Sequence, residues 1–168
     1  ITGHNVEAEN DFFAMLDVIS GMPDADIVFL GDIFELWISL EGYEDDCHRR
    51  FTAWCVGNKK SRGVYFIEGN HEFYSSITRK DAFTESTDDR LSITDGNRRF
   101  LFMHGDTINS CDYKYRLLRF AVRNAFMRFA LKLFSKSIGP AAANKVRLSL
   151  KETNMEHKMY IPEADIKK

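Results

Sequence analysis

Three short stretches of the sequence end an apolar run in polar side chains whose types suit metal chemistry. The stretches are VFLGDIFELW (28–37), YFIEGNHEF (65–73) and FLFMHGD (100–106), and the residues at their ends that could do this chemistry are Asp32, Glu35, Asn70, His71, Glu72, His104 and Asp106. Carboxylate, amide and imidazole groups are ligands that manganese, iron, zinc or magnesium accept, and no cysteine is among them. The pattern therefore favours metal-assisted hydrolysis.

Strands must bring these side chains together. The segments DIVFLGD (26–32) and GVYFIEGN (63–70) are apolar without alternation, which is typical of strands in a sheet that is covered on both faces. Ligands of open α/β sheets sit at the carboxyl ends of the strands. We therefore expect Asp32, Asn70 and His104 to converge, with the glycines at 31, 69 and 105 allowing close backbone approach or sharp turns.

The remaining patterns predict an α/β unit followed by a helical appendage. A helix is expected over 7–20 and ends at Gly21, and a second over 44–58 links the two strands in a parallel crossover. Residues 91–106 have the pattern of a β-hairpin, with its turn at 95–97. A helical period runs from after Asp112 to about Ser137, and another helix is expected from Ala141 to about Glu152.

Composition excludes several other classes. At 168 residues with 44% hydrophobic content, the chain suits one domain with a real core. The three cysteines form no CxxC pair, so a zinc or disulfide framework is not indicated and a reducing cytoplasm is expected. Neither a signal peptide nor a spanning helix is visible. A nucleophilic serine elbow and a phosphate-binding P-loop are also missing from the sequence.

Charge is concentrated in the appendage. Residues 113–151 hold ten lysines or arginines and no acid. Because phenylalanines and leucines are interleaved with these charges over 112–137, an amphipathic cap on an anionic membrane is one interpretation. A packed helix with a solvated basic face is another. Nucleic acid is a third, but the apolar content exceeds what a helix that binds phosphates needs, so lipid is favoured over nucleic acid as a partner.

Each polar cluster alone would more often be structural, since Gly-Asp after a strand is usually a turn or a helix cap. The combination is more specific. GD at 31–32, GNHE at 69–72 and HGD at 104–106 resemble the central motifs of calcineurin-like metallophosphoesterases, whose pattern runs D-x-H, GD, GNH-D/E, H, G-H-x-H. The strings GDIFELW and HGDTINSCDYKY are similar to one branch, the UDP-2,3-diacylglucosamine hydrolases, which cleave a pyrophosphate in lipid A synthesis.

The resemblance implies roles for individual residues. Asp32 would bridge two divalent metal ions, with Mn²⁺ favoured and Fe, Zn or Mg as alternatives, and Asn70 and His104 would bind the second ion. His71 would face the scissile phosphate as a stabiliser or proton donor, and Glu72 would orient His71. Weaker matches to substrate-binding positions of the branch are Asp112, Tyr115 and Asn154.

The resemblance also implies an architecture for the chain and a location in the cell. The fold would be a four-layer α/β/β/α sandwich, with a core over 1–111, a helical lid over 112–155 and a return toward the core over 156–168. The enzyme would act on a nucleotide-sugar lipid in the cytoplasm, peripherally on the inner membrane.

The sequence departs from the family pattern in two ways. The opening D-x-H and the closing G-H-x-H are absent, and we expect the chain to be part of a longer protein. The lipid A hydrolases typically have Arg at the position of His71. Two alternatives therefore stay open: a phosphoesterase of the same fold that acts on nucleotides or phosphoproteins, and a metal-free scaffold.

Overall fold

A computed structural model describes residues 6–22, 24–106 and 113–133. Its fold is mixed α/β. In chain order the elements are α1 (Val6–Ser20), β1 (Ile27–Phe29), β2 (Trp37–Ile38), α2 (Asp46–Asn58), β3 (Val64–Ile67), β4 (Glu72–Phe73), α3 (Ser75–Thr78), a 3-10 turn (Lys80–Ala82), β5 (Glu85–Thr87), β6 (Arg90–Asp95), β7 (Arg98–Met103) and α4 (Tyr113–Arg123).

A parallel sheet in the order β1, β3, β5 forms the centre of the fold. Ile27 pairs with Val64, and Tyr65 pairs with Glu85. The chain passes from β1 to β3 through α2, so the predicted parallel crossover is confirmed. Both strands are shorter than their apolar runs, because the last residues of each run form the turns that carry the polar clusters.

The main core lies between this sheet and the first two helices. Phe13 and Leu16 of α1 and Phe51 of α2 pack with Phe29 and Phe66 of the sheet, and all five are at least nine-tenths buried. Helix α2 begins with a capping box, in which Asp45 accepts from the backbone N–H of His48 and the His48 ring accepts from the Asp45 N–H. Both predicted helices are confirmed within two residues at each end.

Two smaller pairs of strands complete the described part. β2 and β4 pair in parallel, and β6 and β7 form the predicted antiparallel hairpin, with Asp95 opposite Arg98 and Gly96 at φ +57° in the turn. The expected four-layer sandwich stays a prediction.

The appendage begins with α4 and a second helical stretch at 125–133. The Asn124 side chain accepts from the Met127 N–H at 2.8 Å, as a cap for that second stretch. Val122, Met127 and Leu131 pack on the β2–β4 pair. The helix expected over 141–152 lies outside the described residues. Over the ranges described, no helix is long and apolar enough to cross a bilayer.

Candidate metal centre

The turns that follow β1, β3 and β7 meet at one place. Asp32 Oδ1 lies 3.6 Å from His104 Nε2, and Asn70 Oδ1 lies 3.3 Å from the same nitrogen. His71 Nε2 is 3.9 Å from Asp32 Oδ2. The structure thus brings together four residues that are spread over more than 70 positions of the sequence, as the strand pattern leads us to expect.

Two glycines allow this approach because their backbones are in direct contact. A Cβ atom on Gly31, whose φ is +77°, would lie 2.2 Å from the nitrogen of Gly69. A Cβ atom on Gly69 would lie 2.3 Å from Asp32 Oδ1 and 2.8 Å from the His104 ring. Any side chain at either position would therefore displace the site.

Asp32 itself has a left-handed backbone with φ of 53°. Such a conformation costs a non-glycine residue about 1–3 kcal/mol and persists only where the surroundings impose it. Here the fully buried carboxylate of Glu72 accepts from the backbone N–H groups of Asp32 at 2.7 Å, Ile33 at 2.8 Å and Gly69 at 2.9 Å. Glu72 therefore ties the turn after β1 to the turn after β3.

Burial has a strong effect on Glu72. It raises the pKa of Glu72 to about 7, a rise that the nearby Asp32 charge reinforces and the bonds from backbone N–H groups oppose. The expectation from the sequence places Glu72 as the partner that orients His71. In the structure its carboxylate instead holds the backbone of Asp32, Ile33 and Gly69.

The ring of His71 is oriented by a different group. Its Nδ1 lies 2.5 Å from the carbonyl oxygen of Glu35, and its backbone N–H donates to Asp32 Oδ1 at 3.1 Å. A carbonyl oxygen only accepts, so Nδ1 carries the hydrogen. Nε2 is then the ring atom that faces Asp32.

His104 is fixed in the same way. Its Nδ1 donates to the carbonyl oxygen of Leu30 at 2.5 Å, which leaves a lone pair on Nε2. This lone pair points toward the side chains of Asn70 and Asp32.

The side-chain amide of Asn70 has two orientations that fit this place, one without a cation and one with it. Its side-chain oxygen lies 3.0 Å from Asp32 Oδ2 and 3.2 Å from Asp32 Oδ1, so acceptors face acceptors with no hydrogen between them. Turning the amide over would place its N–H groups against Asp32 and His104 and remove the conflict. A divalent cation would remove it without that rotation, since neighbouring ligands of an ion bound at about 2.1 Å are about 3 Å apart.

The donor set therefore fits a divalent metal. Over residues 6–22, 24–106 and 113–133, no group of three or more His, Cys, Asp or Glu side chains is arranged to hold an ion. The set described here contains two such side chains, Asp32 and His104, and completes them with the amide of Asn70. Their role as ligands stays a prediction.

The substrate-binding residues expected from the resemblance are not placed. Asp112 and Asn154 lie outside the described residues. The backbone of Tyr115 lies in α4, but its side chain is not among those described.

Sequence reasoning missed a buried pairing behind the site. Arg123 of α4 donates to the Glu68 carboxylate at 2.8 Å, and the two side chains are 9% and 2% exposed. On the same helix Arg119 pairs with Asp106 at 2.5 Å. These arginines are therefore not part of a solvated basic face. The available signal was Glu68, a fully buried acid that directly follows the apolar strand β3.

Comparison with known proteins identifies the family of this chain. Residues 4–150 match the family described as calcineurin-like phosphoesterase. The chain is 31% identical over 153 residues to a UDP-2,3-diacylglucosamine hydrolase of Shigella dysenteriae serotype 1, covering 84% of this chain and 60% of the relative. It is 29% identical over 146 residues to the protein of that name in Escherichia coli O139:H28, covering 83% and 58%.

The chain thus spans about three fifths of the length of the curated relatives it matches. The family match extends over most of the chain and includes all three strand-end clusters. This chain belongs to the calcineurin-like phosphoesterase family.

Proposed function

We propose that this protein hydrolyses a phosphoester or pyrophosphate bond at a site that holds two divalent metal ions. The observation that carries the proposal is the convergence of side-chain atoms from Asp32, Asn70 and His104, which lie 3.0–3.6 Å from one another. Calcineurin-like phosphoesterases in general use divalent metals. We favour Mn²⁺, with Fe, Zn or Mg as alternatives.

In this proposal Asp32, Asn70 and His104 hold the metal, which would supply Lewis acidity toward the phosphate and the attacking water. The carbonyls of Leu30 and Glu35 fix the rings of His104 and His71 so that each presents Nε2 to the site. When protonated there, His71 donates a hydrogen bond to a phosphate oxygen or a proton to the leaving group. Glu72 keeps Asp32 in its left-handed conformation.

The substrate we propose is UDP-2,3-diacylglucosamine or a similar lipid precursor. The names of the relatives support this, and so does the surface of the helical segment at 113–133. Its side chains Leu117, Phe120, Phe126 and Phe129 are 60–78% exposed, which suits acyl chains or a lipid surface better than water. We further propose that the segment belongs to a helical lid over 112–155 on a four-layer core, acting peripherally at the cytoplasmic face of the inner membrane.

The test uses the full-length gene product with Mn²⁺ and UDP-2,3-diacylglucosamine in mixed micelles. We expect release of UMP and the acylated sugar phosphate, and loss of the reaction after chelation. UDP-N-acetylglucosamine, which has the same pyrophosphate and no long acyl chains, is the matched control and should react far more slowly.

A second candidate acts on nucleotides or phosphoproteins. Its support is His71, since the resembling lipid A hydrolases typically have Arg there. Cleavage of nucleotides or of nitrophenyl phosphate diesters without cleavage of the diacylated UDP-sugar would establish this candidate and refute the lipid substrate. Failure to bind Mn²⁺ or cleave any of these compounds would refute both and favour a scaffold.

A further inference from the structure

We propose that Arg123 is a positioning residue that couples helix α4 to the metal-binding turn, defined as residues 69–72. The inference rests on the proposed function, because the turn carries Asn70 and His71. It assigns a role in metal binding to a residue of the helical segment that lies 53 positions after the predicted ligand Asn70 in the sequence.

The guanidinium group contacts both ends of the turn. Arg123 Nη2 donates to the carbonyl of Gly69 at 2.6 Å and to the carbonyl of Glu72 at 3.1 Å. These two carbonyls lie on either side of the pair Asn70 and His71. Arg123 therefore fixes the distance between the two ends of the segment that carries the predicted ligand.

The other terminal nitrogen of the guanidinium binds Glu68, the residue that precedes the turn. Arg123 Nη1 donates to Glu68 Oε2 at 2.8 Å, and the other oxygen of Glu68 accepts from Ser75 Oγ at 3.0 Å and the Ser76 N–H at 2.7 Å. A buried ion pair is favourable only where its polar atoms are satisfied in this way. Arg123 Nη1 also lies 3.5 Å from Asp88 Oδ2, so contacts to several groups hold the buried guanidinium in place.

Two side chains of opposite charge thus hold the backbone of the turn. Glu72 binds the N–H groups of Gly69 and Asp32, and Arg123 binds the carbonyls of Gly69 and Glu72. Buried backbone groups require partners, and here side chains provide them where a strand ladder would otherwise do so. If Arg123 is lost, the carbonyl side of the turn loses its support and Asn70 is free to shift relative to Asp32.

Helix α4 also contacts the two residues that follow the turn, Phe73 and Tyr74. The Tyr74 hydroxyl donates to the carbonyl of Val122, next to Arg123 in the sequence. The Arg123 guanidinium also lies 5.7 Å from the centre of the Phe73 ring. The position of the turn therefore depends on the position of α4, because Arg123 contacts both.

The decisive variant is Arg123→Lys, because lysine keeps the charge beside Glu68 but lacks the planar fork that reaches the carboxylate and both carbonyls. We would measure the Kd for Mn²⁺ by calorimetry and by electron paramagnetic resonance, using the full-length gene product. Partners outside the ligand sphere typically change metal affinity by about 10–100-fold, and we expect a loss of this size. Hydrolysis of a soluble nitrophenyl phosphate diester should recover as Mn²⁺ is raised, since the predicted ligands are intact.

Arg49→Lys is the matched control. Arg49 also binds a carboxylate and a carbonyl, Asp46 at 2.6 Å and Glu44 O at 2.8 Å, but on the surface of α2. The R49K variant should bind Mn²⁺ with the same affinity as the wild type.

The proposal is overturned if R123K binds Mn²⁺ within twofold of the wild type, whether or not its Tm falls, since Arg123 would then be structural only. If R123K is too unstable to purify, Glu68→Gln weakens the same pairing while keeping its shape, and unchanged Mn²⁺ affinity in E68Q would overturn the proposal equally. A wild-type protein that binds no Mn²⁺ would refute the proposed function itself, which is a different result from equal binding by the wild type and R123K.

Discussion

At the scale of single residues, the candidate site depends on tight packing of the backbone around Asp32. Asp32 has a left-handed backbone, and Gly69 lies directly against its carboxylate. Strain of this kind persists only where neighbours impose it, and Glu72 does so through the backbone of Asp32 and Ile33. The backbone of the predicted ligand Asp32 is thus held in place by its neighbours.

Substitution of one glycine tests this point. In Gly69→Ala the new Cβ atom would lie 2.3 Å from Asp32 Oδ1, so the carboxylate must move and Mn²⁺ affinity should fall at least about tenfold. The control is Gly57→Ala in α2, where a Cβ meets nothing within 4 Å. That variant should keep its affinity and be more stable by about 0.4–1 kcal/mol, measured by urea unfolding. Equal Mn²⁺ affinity in G69A and the wild type would contradict the geometry.

At the scale of elements, the helical segment at 113–133 has two different faces. One face packs on the β2–β4 pair through Val122, Met127 and Leu131, and the Tyr43 hydroxyl donates to the Leu131 carbonyl at 3.2 Å. The other face exposes Phe120, Phe126 and Phe129 among others. The segment is therefore docked on the core and still presents an apolar surface.

Two leucines in the second helical stretch lie one on each face. Leu131 is 6% exposed and Leu133 is 52% exposed. Leu131→Ala should lower the free energy of unfolding by about 2–5 kcal/mol, because it leaves a cavity under the helix. Leu133→Ala removes the same atoms from the surface and should change it by less than about 0.5 kcal/mol. Similar losses in the two variants, measured by urea unfolding, would show that the segment is not docked in this way.

The sequence predicted the elements better than the contacts between them. The apolar runs, Gly21 and the turn at 95–97 located the first helix, strands β1 and β3 and the hairpin, because those signals are local, whereas the short strands β2, β4 and β5 were not predicted. The pairing of Arg123 with Glu68 depends on how α4 packs, and no spacing along the chain encodes it. From their helical spacing alone, Arg119 and Arg123 were predicted to lie on a solvated or membrane-facing surface. The carboxylate of Glu72 was likewise assigned to a neighbouring side chain, whereas it binds the backbone of another turn.

At the scale of the whole molecule, the site exists only when distant parts of the chain are folded together. Asp32, Asn70 and His104 follow three different strands, β1, β3 and β7. An ion that binds them binds the folded state and not the unfolded chain. Metal binding should therefore stabilise the entire described fold.

This coupling predicts a thermal shift. At a Mn²⁺ concentration 100 times its Kd, the folded state gains about 2.7 kcal/mol, so Tm should rise on adding Mn²⁺ and fall again on chelation. Asp32→Ala should abolish the rise, whereas Asp46→Ala, which removes an exposed carboxylate paired with Arg49, should keep it. Equal shifts in both variants would place the bound ion elsewhere.

The most direct measurement is a crystal structure of the protein grown with Mn²⁺, with anomalous scattering data collected to locate the ion. We predict an anomalous peak bounded by a carboxylate oxygen of Asp32, the side-chain oxygen of Asn70 and Nε2 of His104, each at about 2.0–2.4 Å from the ion. The account would be contradicted if no peak lay at these three atoms, whether the ions bound elsewhere or not at all, with the amide nitrogen of Asn70 donating to Asp32.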